Sequence, residues 1–142
     1  MRTIPDGFSG DDGAMSKEQI WDLLKDTYWA HKRDLEIIER NRRAALTQWG
    51  YFQNGTLKAY LRLEGFWIYD VIVSPELRGQ GIGKELLRRA LADPKVSHLP
   101  RLGLDTRDAE AFYTRFGFRR VGQSPNGSWV MMRPAGPLET LF

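Results

Sequence analysis

Gly79, Gly81 and Gly83 stand at alternate positions just ahead of an apolar helical stripe. Where side chains are missing at a helix start, bare amide N–H groups can converge on one point. The helix dipole adds partial positive charge at the same place. The chemistry that suits such a spot is the binding of phosphate oxygens. The stretch around it runs Val71-Ile72-Val73-Ser74-Pro75-Glu76-Leu77-Arg78-Gly79-Gln80-Gly81-Ile82-Gly83-Lys84-Glu85-Leu86-Leu87. It reads as a β-branched strand, a short turn, a glycine loop and an amphipathic helix. The expected ligand is a phosphorylated small molecule.

Spacing separates the kinds of phosphate loop. A P-loop needs Gly four residues before the Gly-Lys pair and Ser or Thr after it. Around Gly83-Lys84 those positions hold Arg78 and Glu85. A dinucleotide fingerprint needs G-x-G-x-x-G at the opening of an early βαβ unit. Gly79 and Gly81 fit it, but the third position is Lys84, and the loop lies past mid-chain.

The remaining pattern is Arg78-x-x-Gly81-x-Gly83 behind a Val-x-Val-x-Pro-x-x-Arg lead-in. It resembles the acetyl-CoA-binding motif of the GNAT superfamily of N-acetyltransferases. Downstream, Ala109-Glu110-Ala111-Phe112-Tyr113-Thr114-Arg115-Phe116-Gly117-Phe118 resembles the A-x-x-F-Y-x-x-x-G-F signature of the same family. The resemblance covers roughly residues 16 to 133. It implies a mixed α/β sheet whose two central strands splay to admit acetyl-CoA as cosubstrate. It also implies direct transfer of the acetyl group to a primary amine of a small molecule or peptide. The alternative is a catalytically silent acyl-CoA-binding module that keeps the fold for regulation.

Acetyl transfer from a thioester to an amine needs the cofactor held, the carbonyl polarised, the ammonium deprotonated and the leaving thiolate protonated. By resemblance, the pyrophosphate falls to the main chain of Arg78, Gly79, Gln80, Gly81, Ile82, Gly83 and Lys84. The pantetheine and carbonyl fall to the main chain of Ile72 and Val73. Many relatives carry Asn three residues before the Ala of the second signature; here Thr106 stands there and can give one hydrogen bond. Tyr113 matches the family's general acid, and a phenol titrating near pH 10 holds its proton at neutral pH. Asp70 is the candidate base, two residues before Ile72 and so on the same strand face. Glu64 is the second candidate, and Tyr69 is expected on the opposite face. Asp108 is read as the N-cap of the following helix.

The family's first two helices and their joining loop wall the acceptor site, which maps to Thr27-Tyr28-Trp29-Ala30-His31. Tyr28, Trp29 and Trp67 are the expected acceptor-binding residues, with Tyr60 and Trp49 as further aromatic candidates. The Tyr28-Trp29 pair, with the later Asp70 strand, resembles small single-domain bacterial members whose acceptors are poorly defined.

These residues need elements to position them. Ser16 and Gln19 make a capping-box pattern, and apolar spacing predicts a helix over 17–29. A second helix is expected over 31–43, with Leu35 and Ile38 inward. Strands over 44–53 and 56–63 flank Asn54-Gly55, a strong hairpin signal. A central strand is expected over 66–74 and a helix from Ile82 ended by Asp93-Pro94. A strand over 101–106 leads to a short helix bearing Ala109, Phe112, Tyr113 and Phe116. A final antiparallel pair is expected over 118–122 and 128–133. Residues 1–133 read as one acetyltransferase-like domain. Residues 134–142 read as a tail resembling a truncated protease-cleavage linker, and so as non-native.

Bulk properties narrow the function classes. At 142 residues the chain can bury a real core. It has no cysteine, which excludes disulfides, thiolate nucleophiles and Cys-ligated zinc. Two distant histidines, His31 and His98, give no expectation of a metal. There is no long apolar run, so no membrane span is expected and the cytoplasm is the default location. The net charge of +3 comes without a basic run, so nucleic acid is not an expected partner. The family resemblance admits a homodimer.

Overall fold

The structure, a computed structural model, describes residues 6–134; the tail expected over 134–142 lies, apart from Pro134, outside them. Asn54 and Gly55 turn the chain with φ of 51° and 76°, which joins strand β2 (Thr47–Gln53) to β3 (Thr56–Glu64) as an antiparallel pair. With β1 (Gly7–Ser9), β4 (Trp67–Val73), β5 (Leu102–Thr106), β6 (Arg119–Gln123) and β7 (Trp129–Arg133) they form one sheet in the order β1-β2-β3-β4-β5-β7-β6. Every neighbouring pair is antiparallel except β4–β5. The helices are α1 (Lys17–Leu24), α2 (Leu35–Ala44), α3 (Ile82–Ala92), α4 (Pro94–Ser97) and α5 (Glu110–Thr114). This is the mixed α/β sheet that the resemblance implies.

Two cores result, one on each sheet face. Leu86, Leu87 and Leu91 of α3 pack with Leu61, Leu63, Leu102 and Leu104 of the sheet and with Phe116 beyond α5. Ile20 and Leu24 of α1 and Ile38 of α2 pack with Phe52, Tyr60 and Ile72 on the other face. Ile68 and Ile72, four apart on one strand, therefore lie in different cores. The register explains it: Arg62 faces Tyr69 while Tyr60 faces Ile72, so β4 carries one extra residue between those pairs. Such a bulge turns the strand and breaks its alternation.

The helix boundaries differ from the periodic reading. α1 stops at Leu24, not 29, because Thr27 competes for the backbone. Its hydroxyl donates to the Leu24 carbonyl and accepts from the Ala30 N–H. α2 begins at Leu35, not 31, since Asp34 caps it by accepting from the Ile37 N–H. Ile38 is buried as expected, but Leu35 is exposed. The capping box at Ser16 is half formed. Ser16 Oγ accepts from Gln19 N–H, while the Gln19 side chain accepts from Leu57 N–H on β3. Asp93-Pro94 ends α3 and also starts α4, with Asp93 as cap and Pro at the first turn.

β4 and β5 share a single register pair, Trp67 with Gly103, and then part. A Cβ on Gly103 would lie 2.6 Å from both the Met132 sulfur and the Trp67 ring. Gly103→Ala is therefore expected to lower stability by about 1–3 kcal/mol through overpacking. Urea unfolding of the two proteins measures it.

Candidate functional site

The glycine loop is built for exposed amides. Gly79 and Gly81 take φ of 80° and 82°, where glycine is favoured, and Gly81 caps α3 with no side chain. The first bond of α3 runs from Glu85 N–H to the Gly81 carbonyl. The N–H groups of Ile82, Gly83 and Lys84 therefore have no partner inside the helix. Arg78 Nε braces the loop by donating to the Val73 carbonyl at 3.2 Å. The Gln80 amide donates back to the Glu76 carbonyl.

From this loop a cleft of about 780 Å3 runs between the ends of β4 and α5. Val73, Leu77, Arg78, Gly81, Gly83 and Lys84 line one end; Phe112, Tyr113 and Phe116 line the other wall. Ser74 N–H donates to the Lys58 carbonyl on β3. Successive N–H groups of a strand alternate sides, so the Val73 N–H turns toward the parted β5 side. By the same alternation the Ile72 N–H lies on the β3 side; Ile72 still lines this cleft, and its side chain packs in the α1–α2 core.

A second cleft, of about 460 Å3, opens beside the first. Tyr28 and Trp29 wall it, with ring centroids 5.1 Å apart and an edge-on arrangement. Arg107 lies over the Tyr28 ring at 4.4 Å. Asp105 and Asp108 also line it, and neither side-chain carboxylate accepts a hydrogen bond from a described residue. The two clefts share Trp29, Val71, Asp108, Ala109 and Tyr113. Tyr113 is 7 % exposed at this junction. Burial pushes its phenol above the ordinary value, and Tyr28 and Asp108 add to the shift. Tyr28 is raised as well, first by burial and then by Asp108.

Asp70 sits in the β4 bulge with φ of 62°, unusual outside glycine. Its side chain is 2 % exposed. Oδ1 accepts the Trp29 indole N–H at 3.1 Å, and Oδ2 accepts from Arg33 Nη1 at 2.7 Å and Arg62 Nε at 2.9 Å. Asp70, the expected base, lines the second cleft with its carboxylate held by these three donors. Glu64, the second candidate, pairs with Arg62 Nη1 at 2.8 Å and lines neither cleft. Tyr69 is not turned away from Asp70; its ring lies 4.4 Å under the same Arg62 guanidinium.

Other expected positions fall elsewhere. Trp67 lines neither cleft and packs at Gly103, where β4 and β5 still pair. Tyr60 is buried and donates its hydroxyl to Gln48, and Trp49 donates to Asp93 at the end of α3. Thr106 lines the second cleft, not the glycine-loop cleft. Its Oγ1 accepts from Ala109 N–H just before α5; the N-cap of α5 is Ala109 with no side-chain cap, so Asp108 does not take the capping role expected of it. The His31 ring Nδ1–H donates to the Thr27 and Tyr28 carbonyls and stabilises the turn. Arg33 and Arg62 were not singled out. A signal for Arg62 existed: it and Asp70 each interrupt an otherwise apolar or aromatic run, 59–63 and 67–73. Arg33 stands in a charge-rich segment with no such contrast.

Among the described residues no group of three or more His, Cys, Asp or Glu is placed to hold a metal ion. No helix among them is long and apolar enough to cross a membrane. The acetyltransferase (GNAT) domain family model matches residues 27–120. A crystal structure from Xanthomonas campestris pv. campestris, of a protein assigned to the GNAT family, is 29% identical with a TM-score of 0.74. The match covers 84% of this chain and 88% of that one. The ribosomal-protein-S18-alanine N-acetyltransferase of Escherichia coli is 17% identical with a TM-score of 0.72, covering 93% and 95%. An aminoglycoside 6'-N-acetyltransferase complexed with coenzyme A is 16% identical with a TM-score of 0.73, covering 89% and 96%. The last two similarities speak to the fold alone. No curated protein matches the chain.

Proposed function

The chain belongs to the GNAT acetyltransferase family, and from that premise we propose that it transfers an acetyl group directly from acetyl-CoA to a primary amine of a small molecule or peptide. One observation carries the reading. The glycine-loop cleft and the aromatic, acid-bearing cleft meet at Tyr113. A donor and an acceptor entering by separate clefts would be brought together at a buried phenol.

The residues present suit the cosubstrate. A Cβ at Gly79 or Gly81 would meet nothing within 4 Å, so the loop leaves open space beside its amides. The free N–H groups of Ile82, Gly83 and Lys84, with the α3 dipole, would hold phosphate oxygens. Lys84 and the Nη groups of Arg78 would add charge. The Val73 N–H would bind along the parted strands. Bound acetyl-CoA supplies an activated acetyl group as a thioester. Tyr113 would hold a proton for the leaving sulfur. Tyr28 and Trp29 form aromatic walls that attract a cation, and Asp105 and Asp108 add negative charge. Those two open carboxylates, directly or through water, are the groups placed to take the ammonium's proton.

The deciding assay is thiol release from acetyl-CoA with spermidine, kanamycin, lysine and short peptides bearing a free α-amino group. Amine-dependent release with at least one class is the expected result. Measurable CoA binding without release on any of them would favour the silent binding module instead.

A further inference from the structure

Two side-chain hydrogen bonds from the turn between α1 and α2 reach β4, and both end on Asp70. One comes from Trp29, which stands where the two clefts meet. The other comes from Arg33, which lines the acceptor cleft. On the opposite side Arg62 of β3 binds the same carboxylate, and Glu64 binds Arg62. The result is a chain of alternating charge, Arg33–Asp70–Arg62–Glu64, that runs from the acceptor turn into the sheet.

The bulge gives Asp70 its reach. A left-handed backbone is tolerated by Asp and Asn better than by other side chains. The residue so placed lies immediately before Val71, which lines both clefts. One residue therefore shapes the strand at the reacting end and grips the wall of the acceptor cleft. A buried ion pair often adds little net stability, and in some proteins its use is to fix one defined arrangement.

Building on the acetyl-transfer reading, we propose that Asp70 is a positioning residue that ties the acceptor-side turn to the β4 bulge and so fixes Trp29 over the point where amine and acetyl group meet. It does not carry the ammonium's proton. Its loss loosens the acceptor wall and leaves the glycine-loop end of the cofactor cleft intact.

Asp70→Asn keeps the shape and tolerates the left-handed backbone but removes the charge. Trp29→Phe keeps an aromatic wall and removes only the indole donor. Both are assayed as the full chain, with whichever amine of the panel above gives the fastest thiol release. The expected result for Asp70→Asn is an acceptor KM raised about 10-fold or more, with kcat within about 3-fold and CoA affinity unchanged. Trp29→Phe should raise the acceptor KM in the same direction. A kcat lowered about 100-fold or more for Asp70→Asn, with the deficit closing as pH rises, would make Asp70 the base and overturn the proposal. An unchanged acceptor KM in both variants would overturn it equally. If Asp70→Asn does not fold, Trp29→Phe and Arg33→Gln decide by the same criterion.

A second readout needs no acceptor. The difference in acrylamide quenching between the wild type and Trp29→Phe isolates Trp29 fluorescence. Arg33→Gln is expected to make that component more accessible to quencher, and no change would overturn the clamp. Absence of amine-dependent thiol release in the wild type would sink the transferase reading by itself while the quenching result still stood.

Discussion

Tyr113→Phe should cut kcat by about 10²–10⁴-fold while the affinity for CoA stays within about 2-fold. The substitution removes one oxygen. The ring keeps its place against Phe112, Phe118 and the α3 core. What is lost is the proton offered to the leaving sulfur. Calorimetric titration with CoA beside steady-state thiol release separates binding from chemistry. The raised pKa adds a second check. Because burial, Tyr28 and Asp108 push the phenol above its usual value near 10, its protonated form dominates at every pH below that. The wild-type kcat should therefore show no alkaline fall from Tyr113 up to about pH 10. A turnover of Tyr113→Phe equal to that of wild type would remove Tyr113 from the chemistry and leave proton delivery to water.

Gly81→Val acts on the other end of the cleft. The position needs φ near 82° and caps α3. A β-branched residue there is a genuine outlier. No atom lies within 4 Å of the new Cβ, so the disturbance comes from the backbone, not from a clash. In the free protein the loop can relax to a negative φ, and binding must then restore the strained form. A strain of about 1–3 kcal/mol corresponds to a CoA affinity weaker by about 5- to 150-fold. Equilibrium titration with CoA gives the affinity. Circular dichroism establishes that the fold survives. Unaltered affinity in a folded Gly81→Val protein would show that the loop amides do not hold the phosphates.

The parts legible in the sequence were those governed by local rules. The Asn54-Gly55 hairpin, the α3 stripe from Ile82 to Leu91 and the glycine loop follow from turn chemistry and periodicity. The mixed sheet followed from the order of the elements and from the family resemblance. The parts not legible depend on where one residue is inserted or which polar side chain finds the backbone first. Nothing in Trp67–Val73 marks the extra residue that sends Ile68 and Ile72 to opposite faces. The alternation rule still put Asp70 with Ile72, since from the bulge its carboxylate reaches Trp29 and Arg33 between α1 and α2, but it misplaced Tyr69. Thr27 ended α1 early, and that released Tyr28 and Trp29 from a helix into the turn that walls the acceptor cleft. Trp67 looked equally aromatic, yet it lies at the closed end of the β4–β5 pair.

The inserted residue in β4 also makes the strand a record of two phases. Up to Tyr69 the side chains alternate in one parity, and from Ile72 they alternate in the other. Removing one residue at position 70 would restore a single parity along the whole strand. Every remaining side chain would keep its sheet face, because Tyr69 would still pair with Arg62 and Ile72 with Tyr60. What the deletion would remove is the bulge itself, and with it the left-handed position from which a carboxylate reaches Trp29, Arg33 and Arg62, so the length of β4 is as much a part of the site as its residues.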